Sequence, residues 1–216
     1  MDLLRLRQLA QASHRAYGEG DPLSGALEAG VSEGAMQARV FRLGPETILA
    51  FRGTDAGQLA DWTTDLDAAF APAFGGQVHH GFLTGLLALW PKVLPLLPDT
   101  PLWVTGHSLG GALATLGALQ VAGTGLPVAG VATFGSPAVG DAAFVKAFTD
   151  LLGDRSDRVV HGADPVPRSL DAYWGYAHVP SLRYLDRDGR LLEAPGWARR
   201  TWDRLAAYGH RPGKAL

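Results

Sequence analysis

Short, continuous apolar runs alternate along this chain with longer amphipathic ones, and turns bearing glycine or proline separate the two kinds. Leu3 to Tyr17 carries leucines and alanines at helical spacing and predicts a first helix ending near Gly18. Gly18 to Gly34 is polar and glycine-rich and reads as a surface loop, with room for one short helix. Ala38 to Leu43 and Glu46 to Phe51 predict two strands joined through Gly44-Pro45; the second is almost wholly apolar, as a central strand is. Asp55 to Phe70 places Leu59, Trp62, Leu66 and Phe70 at helix-like intervals, Gly75-Gly76 breaks the chain, and Phe82 to Leu97 predicts a helix kinked at Pro91. Leu102 to Val104 enters a glycine turn and a small-residue helix leaves it, reaching about Ala122. Val128 to Phe134 predicts a strand, Asp141 to Leu152 a helix, and Arg158 to His161 a short strand. Ser181 to Asp186 and Arg190 to Glu193 bracket Asp188-Gly189, a hairpin signal, and Trp197 to Tyr208 predicts a last helix.

Apolar strands alternating with helices predict an α/β fold, a mostly parallel central sheet flanked by helices with an antiparallel edge. At 216 residues, with no internal repeat or linker, the expectation is one domain over 1–216. A net charge of -2 provides no basic stripe, so nucleic acid is not an expected partner. No run approaches the roughly 18 apolar residues of a membrane span. The absence of cysteine excludes disulfides, thiolate metal sites and a cysteine nucleophile together. No carboxylate cluster has calcium-loop spacing, and no cofactor is expected. Met1 to Gln11 mixes arginine among its leucines and lacks the continuous apolar core of a signal peptide, which predicts a cytoplasmic location, a trimmed secreted form being the alternative.

The chemistry concentrates at Gly106-His107-Ser108-Leu109-Gly110. A serine at the apex of a strand–turn–helix is a nucleophile elbow, and its flanking glycines let strand and helix approach closely. The bare pattern is cheap: with 28 glycines in the chain, about 0.1 chance matches are expected. The reading therefore needs a base, an acid and an oxyanion hole. A serine hydroxyl is a poor nucleophile at neutral pH unless a base takes its proton and a carboxylate orients that base. Among the acids after Ser108, Asp141, Asp150, Asp154 and Asp157 lie on or beside a helix and read as solvated surface groups. Asp164 follows a strand's carboxyl end, the edge where catalytic groups of parallel sheets gather, and is preferred to its alternative role as a turn cap. Two histidines remain for the base. His178 precedes the Ser181 to Asp186 strand; His210 follows the last hairpin and helix, where the base of this architecture comes from, and is preferred. The N–H of Leu109 at the start of the elbow helix supplies one oxyanion donor, and Gly53-Thr54 after the Glu46 to Phe51 strand supplies the other, with the Thr54 hydroxyl in reach.

These residues together resemble the class 3 lipases, the family of the fungal triacylglycerol lipases. Phe51-Arg52-Gly53-Thr54 is similar to the family's oxyanion segment, Asp61-Trp62 to Leu66 to its lid, and His80-Gly81-Phe82 to its H-x-G-F turn. Thr105 to Leu116 matches its elbow nearly throughout, and Thr133 to Gly140 with Asp164 to Arg168 resembles the following two strand ends. The resemblance implies an α/β-hydrolase with a short lid-like helical segment, Ser108 as nucleophile, Asp164 as triad acid, and Thr54 with Leu109 as oxyanion donors. It also implies that His178, in Tyr176-Ala177-His178, is not the catalytic histidine. The family's base lies near the C-terminus, commonly with a tyrosine several residues later; here Arg211 to Leu216 follows His210, so either His210 has the role or the histidine lies beyond Leu216. For Asp55 to Phe70, a lid and an ordinary amphipathic helix packed on the core are both open. The expected function is ester hydrolysis on acylglycerols or similar acyl esters, with contact to a lipid interface if the lid reading holds. The alternatives are a phospholipase, thioesterase or acyltransferase built on the same elbow, and a non-catalytic lipid-binding relative without the histidine.

Overall fold

The structure, a computed structural model, describes residues 1–54, 69–162, 164–168, 175–196, 200, 201 and 203. An eight-stranded sheet forms its centre, in the order β1-β2-β3-β6-β7-β8-β9-β10. The strands are β1 (Leu27–Glu33), β2 (Met36–Leu43), β3 (Glu46–Phe51), β6 (Leu102–His107), β7 (Val128–Phe134), β8 (Ser156–His161), β9 (Leu182–Leu185) and β10 (Leu191–Glu193). Pairing is parallel from β3 through β6, β7 and β8 to β9, and antiparallel at both edges. A separate antiparallel hairpin joins β4 (Phe70–Ala73) to β5 (Gly76–His79).

The helices that cover the sheet are α1 (Leu3–Arg15), α2 (His80–Val93), α3 (Leu109–Gly123) and α4 (Ala142–Leu152). Alternation along the strands sends side chains to two cores. Leu49, Phe51, Val104 and Val131 meet α2, α3 and α4 on one face. Ile48, Ala50, Ala132 and Val159 meet Leu6, Leu9 and Ala12 of α1 on the other. Helix α3 is buried almost all round, which explains its run of glycine, alanine and leucine: small side chains let it lie against β3, β6 and β7.

Among the described residues the predicted elements recur, with differences at particular places. The Gly18 to Gly34 stretch holds β1, an edge strand so exposed that no apolar alternation marks it. The break at Gly75-Gly76 is the turn of the β4–β5 hairpin, with Phe74 at φ 50° and Gly75 at φ 81°. Helix α2 runs through Pro91 and tightens into a 3-10 turn at Leu94–Leu96. Of the Asp55 to Phe70 segment, Phe70 opens β4 and 55–68 lies outside the described residues, as does most of the last predicted helix. Among the described residues no helix is long and apolar enough to cross a membrane.

Candidate active site

The carboxyl ends of β3, β6, β7 and β8 meet at one edge of the sheet. Strand β6 ends at His107, and Ser108 follows at φ 57°, ψ -127° before α3 begins. A side chain at positive φ is strained, and the strain persists because the backbone is fixed on both sides. The Ser108 N–H donates to the carbonyl of Phe134 at 2.9 Å, and its own carbonyl accepts from Gly111 N at 2.8 Å. A Cβ on Gly106 would collide with the carbonyl oxygen of Gly110, and one on Gly110 with that of Phe51, so the two elbow glycines are demanded by contact.

Serine at a helix N-cap ordinarily folds its hydroxyl back onto the first-turn N–H groups. Ser108 does not: it makes no side-chain cap bond, and its Oγ is buried without a hydrogen-bond partner among the described residues. The hydroxyl is therefore uncommitted at the positive end of a helix. The Leu109 N–H belongs to the same first turn and has no residue four positions earlier in the helix to accept from it.

Past the end of β3, Gly53 brings the chain against the elbow. A Cβ there would stand 2.5 Å from the His107 carbonyl oxygen and 3.3 Å from Ser108 Cβ, and would overlap the Tyr17 hydroxyl. Thr54 is next, half-buried, with its Oγ1 enclosed and without a partner among the described residues. Two unspent hydroxyls, Ser108 and Thr54, thus lie on segments in contact.

Asp164 sits three residues beyond β8, in a turn closed by its own N–H on His161 O at 3.0 Å. One carboxylate oxygen, Oδ1, accepts from Val166 N at 2.9 Å, and the other lies beside Gly135, the residue after β7. His107 faces the opposite way from Ser108: its Nδ1 is 2.9 Å from the Tyr17 hydroxyl, and its Nε2 is on the Gly135 side near Asp164. Although the His107 ring reaches the surface, burial against its neighbours lowers its pKa; the Asp164 carboxylate opposes this and the nearby His14 adds to it. The ring is accordingly neutral at pH 7.

His178 is half-buried and its Nε2 donates to Pro167 O at 2.6 Å. His210 lies outside the described residues. Ser108, Leu109, Thr54 and Asp164 are thus gathered at one sheet edge. Sequence reasoning missed Tyr17, which it treated only as the end of a helix; nothing in its local pattern marks it, because its partners are about 35 and 90 residues away in the chain.

The family described as lipase (class 3) matches residues 48–173, more than half of the chain. A secreted mono- and diacylglycerol lipase 1 of Fusarium solani is 38% identical over 117 residues, covering 49% of this chain and 34% of that protein. A phospholipase A1-II 4 of Oryza sativa subsp. japonica is 32% identical over 214 residues, covering 82% of this chain and 52% of that protein. The chain therefore spans about half the length, or less, of these relatives. Among solved structures, the triacylglyceride lipase of Rhizomucor miehei superposes with a TM-score of 0.75 at 22% identity, over 88% of this chain and 83% of that one. A lipase from Rhizopus microsporus var. chinensis gives 0.76 at 23%, over 89% and 78%. At such identities the likeness is one of fold, that of the α/β-hydrolases.

The comparisons correct the expected cytoplasmic location, since relatives from Fusarium solani and Penicillium cyclopium are named as secreted. The physical reason is visible in α1. The arginine-spaced leucines of Met1 to Gln11 build the first helix of the domain, with Leu6 and Leu9 buried against the sheet, so their pattern reports packing and not a compartment.

Proposed function

Because the chain belongs to the class 3 lipases, we propose that it is a serine carboxylic-ester hydrolase acting on acylglycerols, and that 1–216 works as one α/β-hydrolase domain. The observation that carries the reading is Ser108: strained, buried at a helix N-terminus, and with its hydroxyl spent on no structural bond among the described residues. In the proposed reaction Ser108 Oγ bonds to the ester carbonyl carbon while its proton passes to the His210 imidazole, which Asp164 holds in orientation. The N–H groups of Thr54 and Leu109, with the Thr54 hydroxyl, receive the charge that develops on the carbonyl oxygen. Collapse breaks the ester C–O bond, the imidazolium protonates the departing alcohol, and water repeats the sequence on the acyl-enzyme. A lipid interface is the proposed setting, in keeping with the acylglycerol substrates that the relatives' names carry.

The rice relative named phospholipase A1 favours one second reading, in which the same elbow cleaves an acyl ester of a phospholipid. The test of the chemistry is labelling by a fluorophosphonate together with hydrolysis of mono-, di- and triacylglycerols and of phospholipids. Wild type should be labelled and Ser108→Ala should not. Residual ester turnover within about tenfold of wild type in Ser108→Ala would overturn the assignment, since loss of a triad member costs far more. Repeating the labelling on His210→Ala and His178→Ala identifies the base: the first should silence Ser108, and silencing by the second alone would move the role to His178. The head-group profile decides between the acylglycerol and phospholipid readings.

A further inference from the structure

We propose that Tyr17 is a positioning residue for ester cleavage, setting the spacing between the oxyanion segment and the nucleophile elbow. The inference rests on the serine-hydrolase reading and adds to it a part of the molecule outside the catalytic strand ends. Helix α1 is fixed on the sheet by Leu6, Leu9 and Ala12, and the Thr105 hydroxyl donates to the Leu9 carbonyl at 3.3 Å. Thr105 and His107 lie on the same face of β6 by strand alternation, so α1 overlies the side of the strand that His107 occupies. Tyr17 follows the helix in a turn made by its N–H on His14 O, at 3.1 Å, and its half-buried side chain reaches across the sheet end.

There the phenol meets both segments of the site. Its hydroxyl is 2.9 Å from His107 Nδ1, and the two rings are tilted by 56° with centroids 6.0 Å apart. A neutral imidazole carries one N–H and one lone pair, so the phenol donates to Nδ1 in the Nε2–H tautomer and accepts from it in the other, and either way the two groups are joined. The same hydroxyl occupies the space a Cβ on Gly53 would need, while the Arg52 guanidinium lies over the phenol ring, 5.6 Å from its centroid. Tyr17 thus touches the residue before Ser108 and the two residues before Thr54. Oxyanion stabilisation depends steeply on where donors sit relative to the developing charge; a displacement of about 1 Å can cost 10²-fold in rate. A strut between the donor segment and the nucleophile segment is what holds that distance.

Tyr17→Phe keeps the ring and its contact with Arg52 and removes only the hydroxyl; His107→Leu removes the hydroxyl's imidazole partner. The readouts are kcat and KM on a soluble short-chain ester with the full chain, beside the thermal midpoint. Each variant should lower kcat about tenfold with KM within about twofold and the midpoint nearly unchanged, and the double variant should be no worse than the more damaged single one, because both break the same link. A kcat within about twofold of wild type in Tyr17→Phe overturns the proposal. So does a rise in KM alone, which would make Tyr17 a substrate contact, or losses that multiply in the double variant. Wild type that neither hydrolyses esters nor labels at Ser108 removes the serine-hydrolase reading, and this inference with it; an active wild type with an indifferent Tyr17→Phe removes this inference alone.

Discussion

A carboxylate oxygen of Asp164 lies 2.6 Å from the point where a Cβ on Gly135 would stand, and Gly135 itself is at φ 58°. The end of β7 thus leaves room for the acid that follows β8, and glycine serves both the backbone conformation and the approach. Gly135→Ala should therefore do two things. Positive φ costs about 1–2 kcal/mol of stability for a residue with a side chain, and the added methyl pushes the carboxylate out of place. If Asp164 orients the catalytic imidazole, kcat falls at least about tenfold beyond any effect of unfolding. Gly189→Ala is the control: that glycine is also at positive φ, 78°, but a Cβ on it meets nothing within 4 Å. Denaturant unfolding should register both substitutions, and ester kinetics only the first.

The enclosed hydroxyl of Thr54 has no hydrogen-bond partner among the described residues. A hydroxyl buried in that way costs free energy unless something binds it, so Thr54→Val should leave stability unchanged or slightly raised. If the hydroxyl receives the oxyanion, the same substitution lowers kcat by about 10- to 100-fold with little change in KM, and Thr54→Ser restores most of it. A combination of unchanged stability and unchanged kcat would leave the oxyanion to backbone donors alone.

Much of this was legible in the sequence for a local reason. The elbow depends on Gly106, Ser108 and Gly110, within five residues, and its strand and helix announce themselves in the same stretch. Strands buried on both faces, such as Glu46–Phe51 and Val128–Phe134, appear as apolar runs with correct ends. What escaped has either no burial pattern or no local partner. Strand β1 is exposed along almost its whole length and is held by pairing with β2, so no periodicity betrays it. Phe70 fits a helical repeat in the sequence, yet its ring stacks on Tyr176 with centroids 4.4 Å apart, a contact between residues far apart in the chain. The triad base stayed open for a different reason: His178 and His210 differ in chain order and context, and no spacing rule links either to Ser108.

The acids after Ser108 can be separated by experiment as they were by position. Asp141 caps α4, its Oδ1 accepting from Phe144 N at 2.8 Å. Asp141→Ala should cost about 1 kcal/mol of stability, the usual value for a lost N-cap, and leave kcat where it is. Asp164→Asn should do the reverse, keeping the Val166 N–H contact through its amide oxygen while abolishing the charge and lowering kcat by orders of magnitude. Equal kinetic effects from the two would refute the catalytic role given to Asp164.

His107 makes stability depend on pH in a predictable direction. Burial holds its pKa below the ordinary value of 6.5, outweighing the attraction of the Asp164 carboxylate. The folded protein therefore takes up this proton at lower pH than the unfolded chain does. Above pH 6.5 both states carry a neutral ring and the group adds no pH dependence. As pH falls below 6.5 the unfolded chain binds the proton first, and stability declines until the folded form is protonated as well. In the charged ring both nitrogens are donors, so the bond to the Tyr17 hydroxyl is then one in which Nδ1 donates. His107→Leu should lower the activity plateau, as argued for the Tyr17 link, and flatten the stability profile just below pH 6.5. The measurement is a series of denaturant midpoints between pH 8 and 5 for wild type and variant. Parallel curves would show that the proton is taken up elsewhere; a wild-type curve that rises toward acid pH would reverse the sign of the shift.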